Sequence, residues 1–173
     1  PISLGVPQGS VLGPLLYIIF INDIINITTL AKFVLFADDT NIFVSAESRN
    51  LVYKKANMVL STINDYMKCN LLHINTKKCC FMYFSPCKRN SSPTVDDGLN
   101  LAINGTIIKC VSVTKFLGVL IDDKLSWIPH ITNLSKKLQS TCGRIYRIKS
   151  NLPEHLYKDI YHTLFESHLG FAI

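Results

Sequence analysis

Phe33-Val34-Leu35-Phe36-Ala37-Asp38-Asp39-Thr40-Asn41-Ile42-Phe43-Val44 is an apolar run that enters a pair of carboxylates, followed by an apolar run that leaves it. Val, Ile and Phe favour strands, so the stretch is expected to fold back as a short hairpin with Asp38-Asp39 at or beside its tip. Adjacent carboxylates at a tight turn repel each other. A raised pKa on one of them relieves the repulsion, and so does a divalent cation; hard cations such as Mg²⁺ take oxygen ligands. Asp is also an ordinary turn residue. The chain carries two further doublets, Asp96-Asp97 in a polar stretch before Gly98 and Asp122-Asp123 after the strand-like Phe116 to Ile121. Taken alone, the first doublet leaves a metal site and a plain turn both open.

The rest of the composition narrows the class. The chain has 173 residues, 48% of them hydrophobic and 17% charged, enough to bury a core and too apolar for disorder. The formal charge of +6 and pI of about 9.0 suit a polyanionic partner such as nucleic acid without requiring one. The bases are dispersed, with no polybasic tail. The six cysteines, Cys69, Cys79, Cys80, Cys87, Cys110 and Cys142, form no Cys-x-x-Cys pair, which argues against a zinc site. Their scatter, with no visible signal peptide, favours reduced thiols inside a cell, in the nucleus and/or the cytoplasm. The longest apolar run, Val11 to Ile21, is too short to span a bilayer, so no membrane role is expected. The first residue is Pro1 rather than Met, which reads as a piece of something longer with a catalytic part upstream.

Gly5-Val6-Pro7-Gln8-Gly9-Ser10 is turn chemistry leading into a helix. Either Ser10 caps that helix, or it starts near Gly13 with Pro14 in its first turn. Leu15, Leu16, Ile18, Ile19, Phe20 and Ile21 leave it little polar surface, so it should be largely buried. Leu51 to Leu72 has helical periodicity through Leu51, Ala56, Val59, Leu60, Ile63, Tyr66 and Met67, with Lys54, Lys55, Asn57 and Asn64 off that face, and Cys69-Asn70 would close the helix. Extended segments are expected at 72–75 and 80–84, and a loop from Pro86 to Asn100. Asn104-Gly105 between Leu101-Ala102-Ile103 and Thr106-Ile107-Ile108 is the strongest hairpin signal in the chain. Val113 to Ile121 reads as strand. From Ile128 the pattern is helical, broken at Asn151-Leu152-Pro153 and resumed over Leu156 to Leu169.

The pairing of Gly5-Val6-Pro7-Gln8-Gly9-Ser10, opening Gly13-Pro14-Leu15-Leu16, with Phe36-Ala37-Asp38-Asp39 is specific in a way neither half is. It resembles the reverse transcriptase domain of non-LTR (LINE-type) retrotransposons. Leu71-Leu72-His73-Ile74-Asn75-Thr76-Lys77-Lys78 is similar to that family's Asn-x-x-Lys-Thr segment. Phe116-Leu117-Gly118-Val119-Leu120-Ile121-Asp122, with Leu125-Ser126-Trp127 and His130, is similar to its Phe-Leu-Gly-Val hairpin and following helix. Tyr161 to Ile173 resembles a stretch found just past the palm. The motifs fall in the family's order and cover nearly the whole chain.

The resemblance implies an RNA-directed DNA polymerase working by two-metal nucleotidyl transfer, with two Mg²⁺ ions, an RNA template, a DNA primer and dNTPs. Asp38 and Asp39 would be the metal-binding and catalytic carboxylates. Lys78 would place a cation near the triphosphate; as a bare Lys in a turn it reads as a solvated charge. Pro7, Gln8 and Gly9 would lie against template and nucleotide, Gly9 allowing close backbone approach. Phe116, Leu117 and Gly118 would hold the primer end, against the plain reading of an ordinary strand. Phe36 replaces the usual Tyr, and Cys79 the usual Thr after the Lys. The family's third metal-binding Asp lies upstream of the Gly-Val-Pro-Gln-Gly segment, and so does the fingers region. The isolated fragment is therefore expected to be inactive; the alternative is an inactive retroelement remnant that at most binds nucleic acid. The expected fold is α+β: an incomplete polymerase palm over 1–126, an antiparallel sheet with two helices on one face, and a helical thumb-like lobe over 127–173.

Overall fold

The computed structural model describes residues 9–85 and 99–170, and it mixes helices with strands in the α+β manner expected. The described residues divide into two compact units, 9–80 with 99–109, and 81–85 with 110–170.

The first unit begins with α1, Gly13–Ile21. The second reading of its start holds: the helix begins at Gly13 with Pro14 in its first turn, and Leu12 rather than Ser10 takes the N-cap position, although Ser10 Oγ accepts the Gly13 N–H at 3.1 Å. Proline costs nothing there, because the early N–H groups have no partner inside the helix. A 3₁₀ turn, Asn22–Asn26, follows directly. The expectation that α1 is largely buried is wrong. Only Ile21 is buried, while Ile18 and Ile19 stay 57% and 62% exposed. Apolar character all round a helix gives it no preferred inward face, and the 3₁₀ turn takes the anchoring role: Ile24 is fully buried.

β1, Lys32–Phe36, and β2, Asp39–Phe43, form the expected antiparallel hairpin with Phe36 opposite Asp39. Ser48 caps α2, Arg49–Cys69, its Oγ accepting the Leu51 N–H. Tyr53, Ala56, Val59 and Ile63 form the buried stripe of α2. The helix closes at Cys69-Asn70 as expected, and Asn70 Nδ2 donates to the Tyr66 carbonyl at 2.9 Å. β4, Ala102–Ile103, and β5, Thr106–Ile107, pair across Asn104-Gly105 as read. Both turn residues have positive φ, 51° and 76°, the I′ requirement that Asn-Gly meets most cheaply. Leu101, Ile103 and Ile108 join the α2 stripe and Ile24 in the core. Asn57 is a surprise: it does not merely face away from the core. Its Nδ2 donates to the Asn100 carbonyl at 3.0 Å and its Oδ1 accepts the Ala102 N–H at 3.1 Å, so one side chain ties the helix to the β4 strand.

The second unit holds β7, Val113–Phe116, paired with β8, Val119–Asp122, then α3, Ile128–Ile148. The chain breaks after α3 and resumes through short turns and the helices α4, Tyr157–Tyr161, and α5, Ser167–Leu169. Phe165 and Leu169 line an open apolar groove of about 530 Å³ against Ile131, Leu134 and Leu138 of α3.

Of the expected extended segments at 72–75 and 80–84, only β3, Cys80–Phe81, is a strand; it pairs with β6, Lys109–Cys110. Among the described residues the strands make four separate two-stranded ladders rather than one antiparallel sheet. The loop expected from Pro86 to Asn100 lies almost wholly outside the described residues.

Candidate active site

The β1–β2 turn consists of two residues, Ala37 and Asp38, between the paired Phe36 and Asp39. Ala37 has φ 50° and Asp38 does not share the positive φ, the pattern of a II′-type hairpin in which glycine normally takes the first central place. A left-handed conformation costs a non-glycine residue roughly 1–2 kcal/mol. The pleat then sets the carboxylates. Asp38 stands in the turn and Asp39 begins β2, both exposed. Among the described residues neither carboxylate is committed to a hydrogen bond or an ion pair. Two carboxylates on consecutive residues offer hard oxygen donors of the kind a divalent cation takes as part of its ligand set. Among the described residues no third carboxylate, His or Cys joins them in a metal-sized cluster.

Asn41 lies two residues beyond Asp39 and so on the same face of β2. Its Nδ2 is buried with no hydrogen-bond partner among the described residues. A donor left so costs about 1–3 kcal/mol. Sequence reading passed over it; its only signal was a polar residue inside an otherwise apolar strand.

Lys78 sits in a tight turn, where its N–H donates to the Asn75 carbonyl at 3.0 Å and its side chain is exposed. The neighbouring Cys79 donates Sγ–H to the same carbonyl at 3.4 Å. Burial, and then the adjacent Cys80, pushes the Cys79 thiol above its ordinary pKa. Gly9 has φ +87°, a conformation that favours glycine, but a Cβ there would meet nothing within 4 Å among the described residues. The turn itself therefore accounts for the glycine. Pro7 and Gln8 lie outside the described residues.

In the second unit, Phe116 closes β7 and Leu117-Gly118 form the two-residue turn before Val119, with φ of 46° and 91°. This is an I′ turn, with Gly118 at its second place and Leu117 strained at its first. The doublet at the end of β8 is structural. Asp122 is buried, and its oxygens accept the Ser126 N–H at 3.0 and 3.1 Å and the Trp127 N–H at 3.1 Å. Burial pushes its pKa up, but the backbone N–H and hydroxyl of Ser126, then the N–H groups of Trp127 and Lys124, outweigh that and hold it below the ordinary carboxylate value. His130 Nδ1 accepts the Leu120 N–H at 3.3 Å, which fixes α3 on β8 and assigns the ring proton to Nε2.

The first unit thus presents a strained turn carrying two carboxylates that have no partner among the described residues. The profile of the family described as Reverse transcriptase (RNA-dependent DNA polymerase) matches residues 1–121. The chain belongs to the reverse transcriptase family. It is 30% identical over 152 residues to the RNA-directed DNA polymerase from mobile element jockey of Drosophila melanogaster, covering 84% of this chain and 16% of that protein. It is 26% identical over 150 residues to the retrovirus-related Pol polyprotein from type-1 retrotransposable element R1 of Bradysia coprophila, covering 85% of this chain and 14% of that one. The probable RNA-directed DNA polymerase from transposon BS of Drosophila melanogaster is 30% identical over 142 residues, 77% of this chain and 15% of that protein. This reverse transcriptase segment, of the LINE type, thus spans about a sixth of the relatives it matches. No solved structure matches it. No helix among the described residues is long and apolar enough to cross a membrane.

Proposed function

We propose that this chain is the carboxylate-bearing part of the palm of an RNA-directed DNA polymerase, with residues 1–126 in the palm and 127–173 opening a thumb-like segment. The observation that carries the reading is the Ala37-Asp38 turn. Backbone strain persists only where the surrounding structure enforces it, and it gathers at functional sites. Here it displays two unpartnered carboxylates.

Asp38 and Asp39 would hold Mg²⁺, together with a carboxylate from elsewhere in the intact protein. The metal, when bound, supplies neutralisation of phosphate charge and a more acidic primer hydroxyl. The residues of this chain do the rest by position. The hairpin holds two charges on a rigid tip, which sets where a triphosphate can sit. Lys78 presents a mobile cation to the leaving phosphates. Pro7, Gln8 and Gly9 line the template and nucleotide side, and Phe116, Leu117 and Gly118 the primer side. Partners are an RNA template, a DNA primer and dNTPs, in the nucleus or the cytoplasm. Two carboxylates attract a metal pair less than three do, because charge sets much of the affinity. The isolated chain is therefore inactive.

The test is dNTP incorporation on poly(A)/oligo(dT) with Mg²⁺. The intact parent polymerase should incorporate, and Asp38→Asn should reduce it to background while the protein stays folded. The 173 residues alone should give background. Full activity in the parent carrying Asp38→Asn defeats the assignment, and incorporation by the fragment defeats its inactivity.

A further inference from the structure

Trp127 is the only tryptophan of the chain, and it is not in the core: it stays 49% exposed. Tryptophan is usually highly buried, so one left half in water calls for a cause. The surrounding loop fixes its backbone. Trp127 has φ 63°, left-handed, and Leu125 two residues earlier has φ 50°. Neither is glycine, so both conformations are strained. The strain is held by Asp122, whose buried carboxylate accepts the N–H groups of Ser126 and Trp127. The Asp122 carbonyl accepts the Leu125 N–H at 2.9 Å as well. On the other side the Trp127 carbonyl accepts the Ile131 N–H at 2.9 Å and so opens α3. The indole is thus fixed at its backbone on both sides, at a rigid junction of strand and helix.

The sequence on either side of it is basic. From Cys110 to Lys149 the sequence has seven Lys and Arg against two Asp, and so carries most of the chain's +6. One of those Asp is Asp122, turned inward and saturated by N–H donors. Lys124 stands exposed in the same loop. A half-exposed aromatic face on a fixed backbone, with the Lys124 cation exposed in the same loop, matches the two demands of a single-stranded nucleic acid, a flat apolar base and a phosphate chain.

We propose that Trp127 is a stacking platform for an unpaired nucleobase, presented by the Asp122 turn on the most basic stretch of the chain. An apolar protein surface, or a second copy of this chain, would meet the indole equally well but has no use for the surrounding cations. The proposal deepens the polymerase reading by naming a contact to unpaired template or primer. It does not depend on the carboxylate doublet.

The single tryptophan makes the test direct. The full 173-residue chain is titrated with a twelve-nucleotide oligo(dT) and oligo(U) at low and at high salt while the Trp127 emission is followed. Stacking should quench the emission, with a midpoint that moves to higher oligonucleotide concentration as salt rises. Followed by anisotropy of a labelled oligonucleotide, Trp127→Ala should weaken binding about five- to a hundredfold, and Trp127→Phe should recover most of it. Circular dichroism controls for folding, and Trp127→Phe keeps the proposal testable where the alanine variant fails to fold. Binding with unchanged emission, or Trp127→Ala binding as tightly as the parent, overturns the proposal. So does emission that follows protein concentration instead of oligonucleotide, the mark of self-association. Quenching in a protein whose parent shows no dNTP incorporation would sustain the stacking site and defeat only the polymerase reading.

Discussion

Replacing Asn57 by alanine removes both bonds of the clamp that holds β4 to α2, the donation to the Asn100 carbonyl and the acceptance from the Ala102 N–H. Each neutral bond contributes about 0.5–1.5 kcal/mol net, so their loss costs about 1–3 kcal/mol. Alanine returns part of this, about 0.5 kcal/mol, because it is the better helix former. The net expectation is a destabilisation of about 0.5–2.5 kcal/mol, with the sign set by the clamp. Asn64 provides the control. It lies on the same helix and makes no side-chain hydrogen bond among the described residues. Asn64→Ala should therefore stabilise, by about 0.5 kcal/mol. Asn57→Asp separates the two bonds: the carboxylate still accepts from Ala102 but loses the donor and faces the Asn100 carbonyl. The assay is amide hydrogen exchange, supported by urea unfolding. The Ala102 amide should exchange several- to tenfold faster in Asn57→Ala, since about 1.4 kcal/mol is tenfold, and remain nearly as slow as the parent in Asn57→Asp. If Asn57→Ala and Asn64→Ala shift stability in the same direction, or the Ala102 amide is equally protected in all three, the clamp is not a tertiary tie and the account is wrong.

Two other outcomes follow from the fold and from Asp122. Ile24→Ala should cost about 2–5 kcal/mol, because the side chain is fully buried, whereas Ile19→Ala on exposed α1 should stay within about 0.5 kcal/mol; equal losses in urea unfolding would mean that α1 is packed after all. The Asp122 pKa is held low, so its contribution is complete above the ordinary carboxylate pKa and is lost as pH falls through the depressed folded value. Acid unfolding followed by circular dichroism should show that loss in the parent, and Asp122→Asn should be less stable at neutral pH and lose less on acidification; parallel pH profiles would remove the carboxylate from the account.

Much of this chain was legible from its residues because the relevant forces act between near neighbours. Asn104-Gly105 announces its own turn, the Val, Ile and Phe runs around Asp38-Asp39 announce the hairpin, and the α2 stripe repeats at the helical period. Motif order was enough to find the family, since it needs no coordinates. Burial is different, because it depends on what arrives from elsewhere in the chain. The eleven apolar-rich residues from Val11 to Ile21 look like core, yet α1 is left open while the shorter Ile24 turn is enclosed. Asn57 looked like solvent-facing polarity until a strand 45 residues away came to its amide. The two doublets Asp38-Asp39 and Asp122-Asp123 are alike as letters. Only the tertiary structure separates them, because Asp122 is surrounded by N–H donors that its own loop turns inward, while the carboxylates of the hairpin tip are exposed and receive no hydrogen bond among the described residues.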